Sequence, residues 1–347
     1  MGADHFLAQA RQCSSLGSPF TARLLRCVAP LLDQPGPIQD RIRTWPGDAG
    51  PAADSVPLRL AGGFHTLVLS GQAPDLAALY PPNPTPSDAS LAKALTAAMK
   101  AFAAPLNRWL DSAPQTNETA RTGPLAAAGA LLSQKAGMPL RLLELGTSAG
   151  LNLYWDKFTL AAGRQRDAGT SPLTLTPDWQ GAPPPGTEIR IASRAGVDLN
   201  PFTLSDPMER LRMLSYIWPD QPDRMERMRA AQAVALADPA RIDQGDAADW
   251  IDGELQVLPE GQMTCVFHSI AWQYFPQQTQ TRAEAAIRTA GANATTTAPL
   301  AWLSMEADGN EPGAALSLRT WPDGREETLG RSDFHGRWVQ WQPEADR

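Results

Sequence analysis

The sequence predicts an α/β protein: a mostly parallel sheet with antiparallel C-terminal hairpin strands, preceded by a helical N-terminal region. Three observations carry this. From residue 140 onward, short apolar runs alternate with helix-like segments, the β-α-β-α order that builds a parallel sheet. The tail then changes to hairpin-like runs around the turn Pro322-Asp-Gly324. Before residue 140 no run reads as a strand. A length of 347 residues suggests about two domains, so the chain divides as a helical cap over 1–139 and an α/β domain over 140–347.

In the cap, Phe20 to Leu32 has apolar residues at helical spacing behind a Ser18-Pro19 start, an N-cap and N1 pair. Asp33 to Pro57 is rich in Pro, Gly and Asp and reads as a loop. Leu58 to Ser70 and Ala89 to Leu110 read as helices, separated by the breaker-rich Tyr80 to Pro86. Thr122 to Ala136 is a further helix, stopped by Gly137 with Pro139 just beyond.

In the α/β part, a strand over 140–145 leads into a helix over 151–158 and an irregular insertion from Thr159 to Gly186. A second strand covers Glu188 to Ala192, with Gly196-Val-Asp198 near its end. The next helix starts on Asp206 as N-cap, Pro207 at N1 and Glu209 completing a capping box; it breaks at Pro219 and resumes through Ala237. Ala240 to Asp246 gives a third strand. Met263 to His268 gives a fourth, uniformly apolar and therefore central. A helix over 279–290 and a strand over Leu300 to Met305 follow. Ala314 to Trp321, Arg325 to Leu329 and Arg337 to Trp341 complete the antiparallel set.

Net charge is −7, and the arginines are spread among acids, so no electrostatic footprint for nucleic acid exists. The three cysteines, Cys13, Cys27 and Cys265, show neither zinc spacing nor disulfide pairing, and no metal site is expected. No signal peptide or membrane-spanning run is legible, which makes a cytoplasmic protein without a membrane partner the expectation.

The segment Arg141 to Leu153 carries the chemistry. An apolar strand ends at Gly146, small residues continue through Gly150, and a helix-like start follows: a tight turn where a ligand can approach backbone N–H groups. Two readings share these letters. One is a nucleotide-type cradle formed by Glu144, Gly146, Thr147, Ser148, Gly150 and Asn152. Asp198, after the second strand, would take ribose hydroxyls, and Asp246 with Ala247, after the third, would touch a base edge. The other is a nucleophile elbow, since Gly146-Thr-Ser148-Ala-Gly150 spells G-x-S-x-G; Asp246 or Asp308 and then His335 would complete a Ser…Asp…His order. Elbows follow several strands, whereas this turn follows the first, which favours the cradle. A scaffold that binds a ligand without performing chemistry is the third reading.

His268, just past the central strand, is a candidate general base, with Tyr274 beside it as a second catalytic candidate and Trp272 as a wall for a flat substrate. The polar cluster Gln115-Thr-Asn117-Glu118 reads as an N-cap, with Thr116 or Asn117 capping, or as a lid element over the ligand.

Glu144-x-Gly146-x-Ser148-x-Gly150 resembles the E-x-G-x-G-x-G first motif of class I S-adenosylmethionine-dependent methyltransferases, with Ser148 at the middle glycine. The acid at Asp198 arrives late because of the 159–186 insertion. Leu58 to His65, Gln115 to Glu118, Leu143 to Asn152, Leu214 to Asp220, Asp246 to Asp249 and His268 to Tyr274 resemble a bacterial family known as domain of unknown function 2332, along nearly the whole chain. These resemblances imply a Rossmann-like, methyltransferase-type fold. They also imply S-adenosylmethionine as cofactor and a small-molecule acceptor.

Overall fold

The computed structural model describes residues 2–115, 117–162 and 171–343. The chain forms two compact units: Met1–Thr116 with Ser205–Glu226, and Asn117–Leu204 with Arg227–Arg347. The sequence boundary at 139 and the contact boundary at 116 differ because Thr122–Ala136 packs with the sheet that follows it. Thr116 and, within the 159–186 insertion, residues 163–170 lie outside the described residues.

The helices before residue 116 are α1 (Gly2–Ser15), α2 (Pro19–Val28), α3 (Pro37–Arg43), α4 (Val56–Leu69), α5 (Pro74–Ala77), α6 (Asp88–Ala101) and α7 (Ala103–Trp109). Those after it are α8 (Thr122–Ala136), α9 (Pro207–Ser215), α10 (Pro222–Ala237), α11 (Ala247–Glu254) and α12 (Gln277–Ala292). Ser18 caps α2 as its sequence implies, its side chain accepting from Thr21 N–H. Prolines set the differences from the sequence reading. The expected helix 20–32 gives way to a 3-10 turn over Ala29–Asp33, where Pro30 has no N–H to donate. Pro105 similarly splits 89–110 into α6 and α7. The 33–57 loop holds α3, started by Pro37 at its first turn.

In the first unit the motif Gly62-Gly-Phe-His65 has a packing role. A Cβ on Gly62 would stand 2.8 Å from the Tyr216 ring, and one on Gly63 would stand 2.9 Å from Leu106. His65 Nδ1 meets the Ser215 carbonyl at 3.2 Å, and Thr66 Oγ1 donates to Ser215 Oγ at 2.7 Å. Asp220 ties the 205–226 segment to the start of α2: it accepts from the Ser18 hydroxyl and, at 2.8 Å, from Phe20 N–H.

The second unit is built on a nine-stranded sheet. Its strands come from β1 (Leu140–Leu145), β2 (Thr159–Leu160), β3 (Thr174–Leu175), β4 (Asp178–Gln180), β5 (Ile191–Asp198), β6 (Arg241–Gln244), β7 (Met263–Ser269), β8 (Leu300–Glu306), β9 (Ala314–Trp321), β10 (Glu326–Ser332) and β11 (Trp338–Trp341). The order is β4-β11-β10-β9-β8-β7-β1-β5-β6, with β2 and β3 forming a separate pair. The block β8-β7-β1-β5-β6 is parallel, and β8 to β11 form an antiparallel meander. The mixed α/β architecture and antiparallel C-terminal strands thus match the expectation. The expected fourth strand, β7, lies inside the sheet between β8 and β1 and is buried at every position, Thr264, His268 and Ser269 included.

Residues pair so that Leu143, Val266 and Trp302 share one face and Glu144, Phe267 and Leu303 the other. The first face packs on α11 and α12 through Val197, Ile251 and Ile287. On the second, Trp155 lies against Phe267 with ring centroids 4.8 Å apart, fitting into α8 where a Cβ on Gly129 would stand 2.7 Å from its ring. Burial of Tyr154 and Trp155 ends the expected 151–158 helix as a 3-10 turn at Leu151–Leu153. β5 covers Ile191–Asp198 where the sequence reading placed a strand over 188–192, and glycine at 196 lets it pass the β1 turn, since a Cβ there would stand 2.6 Å from Thr147. The insertion contributes β2 and β3, and β4 pairs with β11 at the sheet edge.

Asp220→Ala is expected to lower the stability of the first unit by about 2–3 kcal/mol, since it removes a carboxylate with two donors. Urea denaturation followed by tryptophan fluorescence checks this. An unchanged midpoint would show that the anchor contributes nothing.

Candidate functional site

The turn after β1 has three left-handed residues at alternate positions: Gly146 (φ +71), Ser148 (φ +55) and Gly150 (φ +74). A left-handed conformation is free for glycine but costs an L-residue roughly 1–2 kcal/mol. Ser148 therefore adopts the backbone of a glycine. The end of β5 holds it there. The Val197 carbonyl accepts both Gly146 N–H (2.9 Å) and Thr147 N–H (3.0 Å), and Asp198 Oδ2 accepts Ser148 N–H at 2.9 Å. The other Asp198 oxygen takes Asn200 N–H at 2.9 Å, and the Ser148 carbonyl takes Phe202 N–H at 3.3 Å. With its backbone engaged on both sides, Ser148 is 8% exposed, and its hydroxyl has no hydrogen-bond partner among the described residues.

Below the turn, on the α8 face, Glu144 is 2% exposed and accepts from Thr147 Oγ1 at 2.5 Å. Burial pushes its carboxyl up to about 8, against the Thr147 hydrogen bond, which lowers it; the Asp198 charge adds to the rise and Arg121 opposes it. Thr147's carbonyl accepts Asn117 Nδ2 at 3.0 Å. Asn152 Nδ2 reaches Asn117 Oδ1 at 3.5 Å, and its own oxygen takes the Thr122 hydroxyl at 2.9 Å. Arg121 spans to the Ser269 carbonyl (3.2 Å) and the Phe334 carbonyl (2.8 Å). Thr147, Asn152 and Asn117 are thus joined to Glu144 in one buried network.

His268 belongs to the opposite face, with Val266 and Trp302. It is 2% exposed and stacked on Trp272, ring centroids 4.7 Å apart. Trp302 Nε1–H donates to His268 Nε2 at 3.1 Å, and an indole nitrogen only donates. Nε2 is therefore the unprotonated nitrogen, and Nδ1–H donates to Glu306 Oε1 at 2.8 Å. In this arrangement the ring has no free lone pair with which to take a proton. Glu306 Oε1 also takes Ala271 N–H (3.0 Å) and Trp272 N–H (3.1 Å), while Oε2 is shielded and without a partner among the described residues. Ile270, between these groups, is also left-handed (φ +49), an outlier for a β-branched residue. Left-handed non-glycine residues thus stand just after both β1 and β7, as at Ser55 (φ +49) before α4.

Asp246 caps α11, with Oδ1 accepting Ala248 N–H at 2.9 Å and Asp249 N–H at 3.2 Å, and Oδ2 accepting the Thr279 hydroxyl at 2.8 Å. Burial raises its carboxyl, and the Thr279 and backbone hydrogen bonds outweigh it, leaving it below the ordinary value. Ala247 is the buried first residue of α11. Glu118 takes Ala120 N–H at 3.3 Å and pairs with Arg227 at 3.9 Å. Trp272 is half-buried beside His268, Tyr274 is 75% exposed, and Gln115 falls in the first unit. His335 lies in the β10–β11 turn, its N–H on Asp333 Oδ1 at 2.9 Å.

Sequence reasoning missed Glu306, Arg121 and Trp302. Glu306 had a signal: it is the acid immediately after the apolar run 300–305, as Asp198 ends β5. Among the described residues no cluster of His, Cys, Asp and Glu has metal-holding geometry, and no helix is long and apolar enough to cross a membrane.

Two outcomes are expected. Ser148→Gly relieves left-handed strain and deletes a buried, unpaired hydroxyl, so stability rises by about 1 kcal/mol after the extra chain entropy of glycine is counted. Thermal denaturation measures it, and a lowered midpoint would contradict the strain assignment. For Glu144 the folded state holds a proton that the unfolded chain releases near its ordinary value of 4.5. Its contribution to stability is therefore fully present below pH 4.5 and falls as pH rises to about 8. Wild-type stability measured relative to Glu144→Gln should decline across that window; a flat difference would refute the buried, protonated carboxyl.

The comparisons with known proteins give one result. A search of curated proteins finds no match to this chain. Residues 3–341 match the model of a family described as "Uncharacterized protein conserved in bacteria (DUF2332)", and the chain belongs to that family.

Proposed function

We propose that the second unit binds S-adenosylmethionine at the C-terminal ends of its parallel strands and acts as a methyltransferase on a small-molecule acceptor. The observation that carries this is the β1 turn. All three glycine positions of the E-x-G-x-G-x-G pattern are left-handed, including the one occupied by serine. Support also comes from the parallel strand order, in which the first strand sits between the second and the fourth, the switch point where open α/β sheets collect ligands. A Rossmann-like, methyltransferase-type fold is part of the same proposal.

The residues present suit such a group. The orphaned Ser148 hydroxyl and Glu306 Oε2 are polar atoms lacking the partners that buried atoms normally have. The turn 146–150 and Ser148 would hold the cofactor, with Asp198 keeping the turn in shape and Glu144 beneath it. When bound, the cofactor supplies an electrophilic methyl group. His268 serves as a positioning residue that fixes Glu306 and the Trp272 segment, and exposed Tyr274 is available to the acceptor. The hydrolase reading draws no support, because Ser148 Oγ has no histidine on it.

Isothermal titration calorimetry with S-adenosylhomocysteine tests the proposal. Saturable binding is expected; no heat at millimolar ligand removes the cofactor reading, and labelling of Ser148 by a fluorophosphonate would replace it with the hydrolase.

A further inference from the structure

We infer that Glu306 reads positive charge in the site: it accepts a compact organic cation and so distinguishes the sulfonium of S-adenosylmethionine from the neutral thioether of its product. The inference rests on the cofactor reading above. Three neutral N–H donors, from His268, Ala271 and Trp272, converge on Oε1 at 2.8–3.1 Å, leaving Oε2 buried with no partner among the described residues. His268 cannot supply the countercharge in this arrangement. A second ring proton on Nε2 would point directly at the indole N–H of Trp302. A carboxylate removed from water with no cationic partner is unfavourable unless one arrives with a ligand.

Position and surroundings agree. Ala271, whose N–H is bound by Glu306, has its Cβ 2.6 Å from where a Cβ on Gly146 would lie, so the segment that the carboxylate holds packs against the β1 turn. Trp272 and Trp302, both half-buried, present rings 5.7 Å apart at 53° beside the histidine. Indole faces attract sulfonium and alkylammonium groups more than neutral ones.

Calorimetry on the full chain with three ligands decides it: S-adenosylmethionine, S-adenosylhomocysteine, and the analogue that carries an ammonium in place of the sulfonium. The wild type should bind both cations more tightly than the thioether. Glu306→Gln keeps the shape and an acceptor for the three N–H groups. It should weaken both cations about tenfold while leaving the thioether within about twofold. A purely structural role would weaken all three alike. That equal loss, or a wild type that prefers the thioether, overturns the inference and leaves the cofactor reading in place. Failure of the wild type to bind any of the three removes both. Should Glu306→Gln not fold, the wild-type ranking of the three ligands decides alone.

Discussion

The clasp between the ends of β1 and β5 is the constraint on which the site depends. Three hydrogen bonds, two to the Val197 carbonyl and one to Asp198, hold a turn whose middle residue has no intrinsic preference for its conformation. Glycine at 196 lets the two strands close, since any side chain there would collide with Thr147. Thr147 in turn hydrogen-bonds Glu144 and, through its carbonyl, Asn117. Register of one strand pair therefore positions the turn, the buried acid below it and the segment entering α8.

Side-chain alternation then separates the polar groups of the site into two sets. Glu144 lies on the α8 face and His268 on the α11/α12 face, because residues paired across parallel strands share a face and neighbours along a strand do not. The sets differ in how well they are satisfied. Glu144 takes its hydrogen bond from a neutral hydroxyl, that of Thr147, and burial pushes its carboxyl up to about 8. Around Glu306 one oxygen is crowded and the other empty. The two acids thus lie on opposite faces of the same sheet, one satisfied and one not.

Much of this was legible in the sequence, for physical reasons. Met263 to His268 is mostly apolar because both of its faces are covered, and it lies inside the sheet between β8 and β1. Gly146 to Gly150 reads as a tight turn after a strand, and the chain does turn there; that Ser148 shares the left-handed backbone of its two glycine neighbours is not legible, because serine rarely adopts it. Asp246 was read as a ligand contact, while its letters equally spell an N-cap, and α11 went unseen behind it. His268 was visible at its strand end, but its tautomer depends on Trp302, a residue 34 positions away whose contact no local pattern encodes. Arg121 and Glu306 likewise act through partners far away in sequence, Ser269 at 148 positions and His268 at 38. Prolines misread as part of longer helices account for the altered boundaries in the first unit.

Glycine in such a turn is usually explained by a ligand needing the backbone. Here a Cβ on Gly146 would stand 2.6 Å from Ala271 and one on Gly150 2.6 Å from Ile242, so protein packing alone requires both. Their presence would be the same in a scaffold that binds nothing. Packing does not account for the serine in that turn, nor for Glu306. Ser148 is strained where glycine would be relaxed and buries a hydroxyl that bonds to nothing among the described residues; Glu306 buries half a carboxylate in the same condition. Each lowers the stability of the unliganded fold, and a bound polar or cationic group is what would offset both.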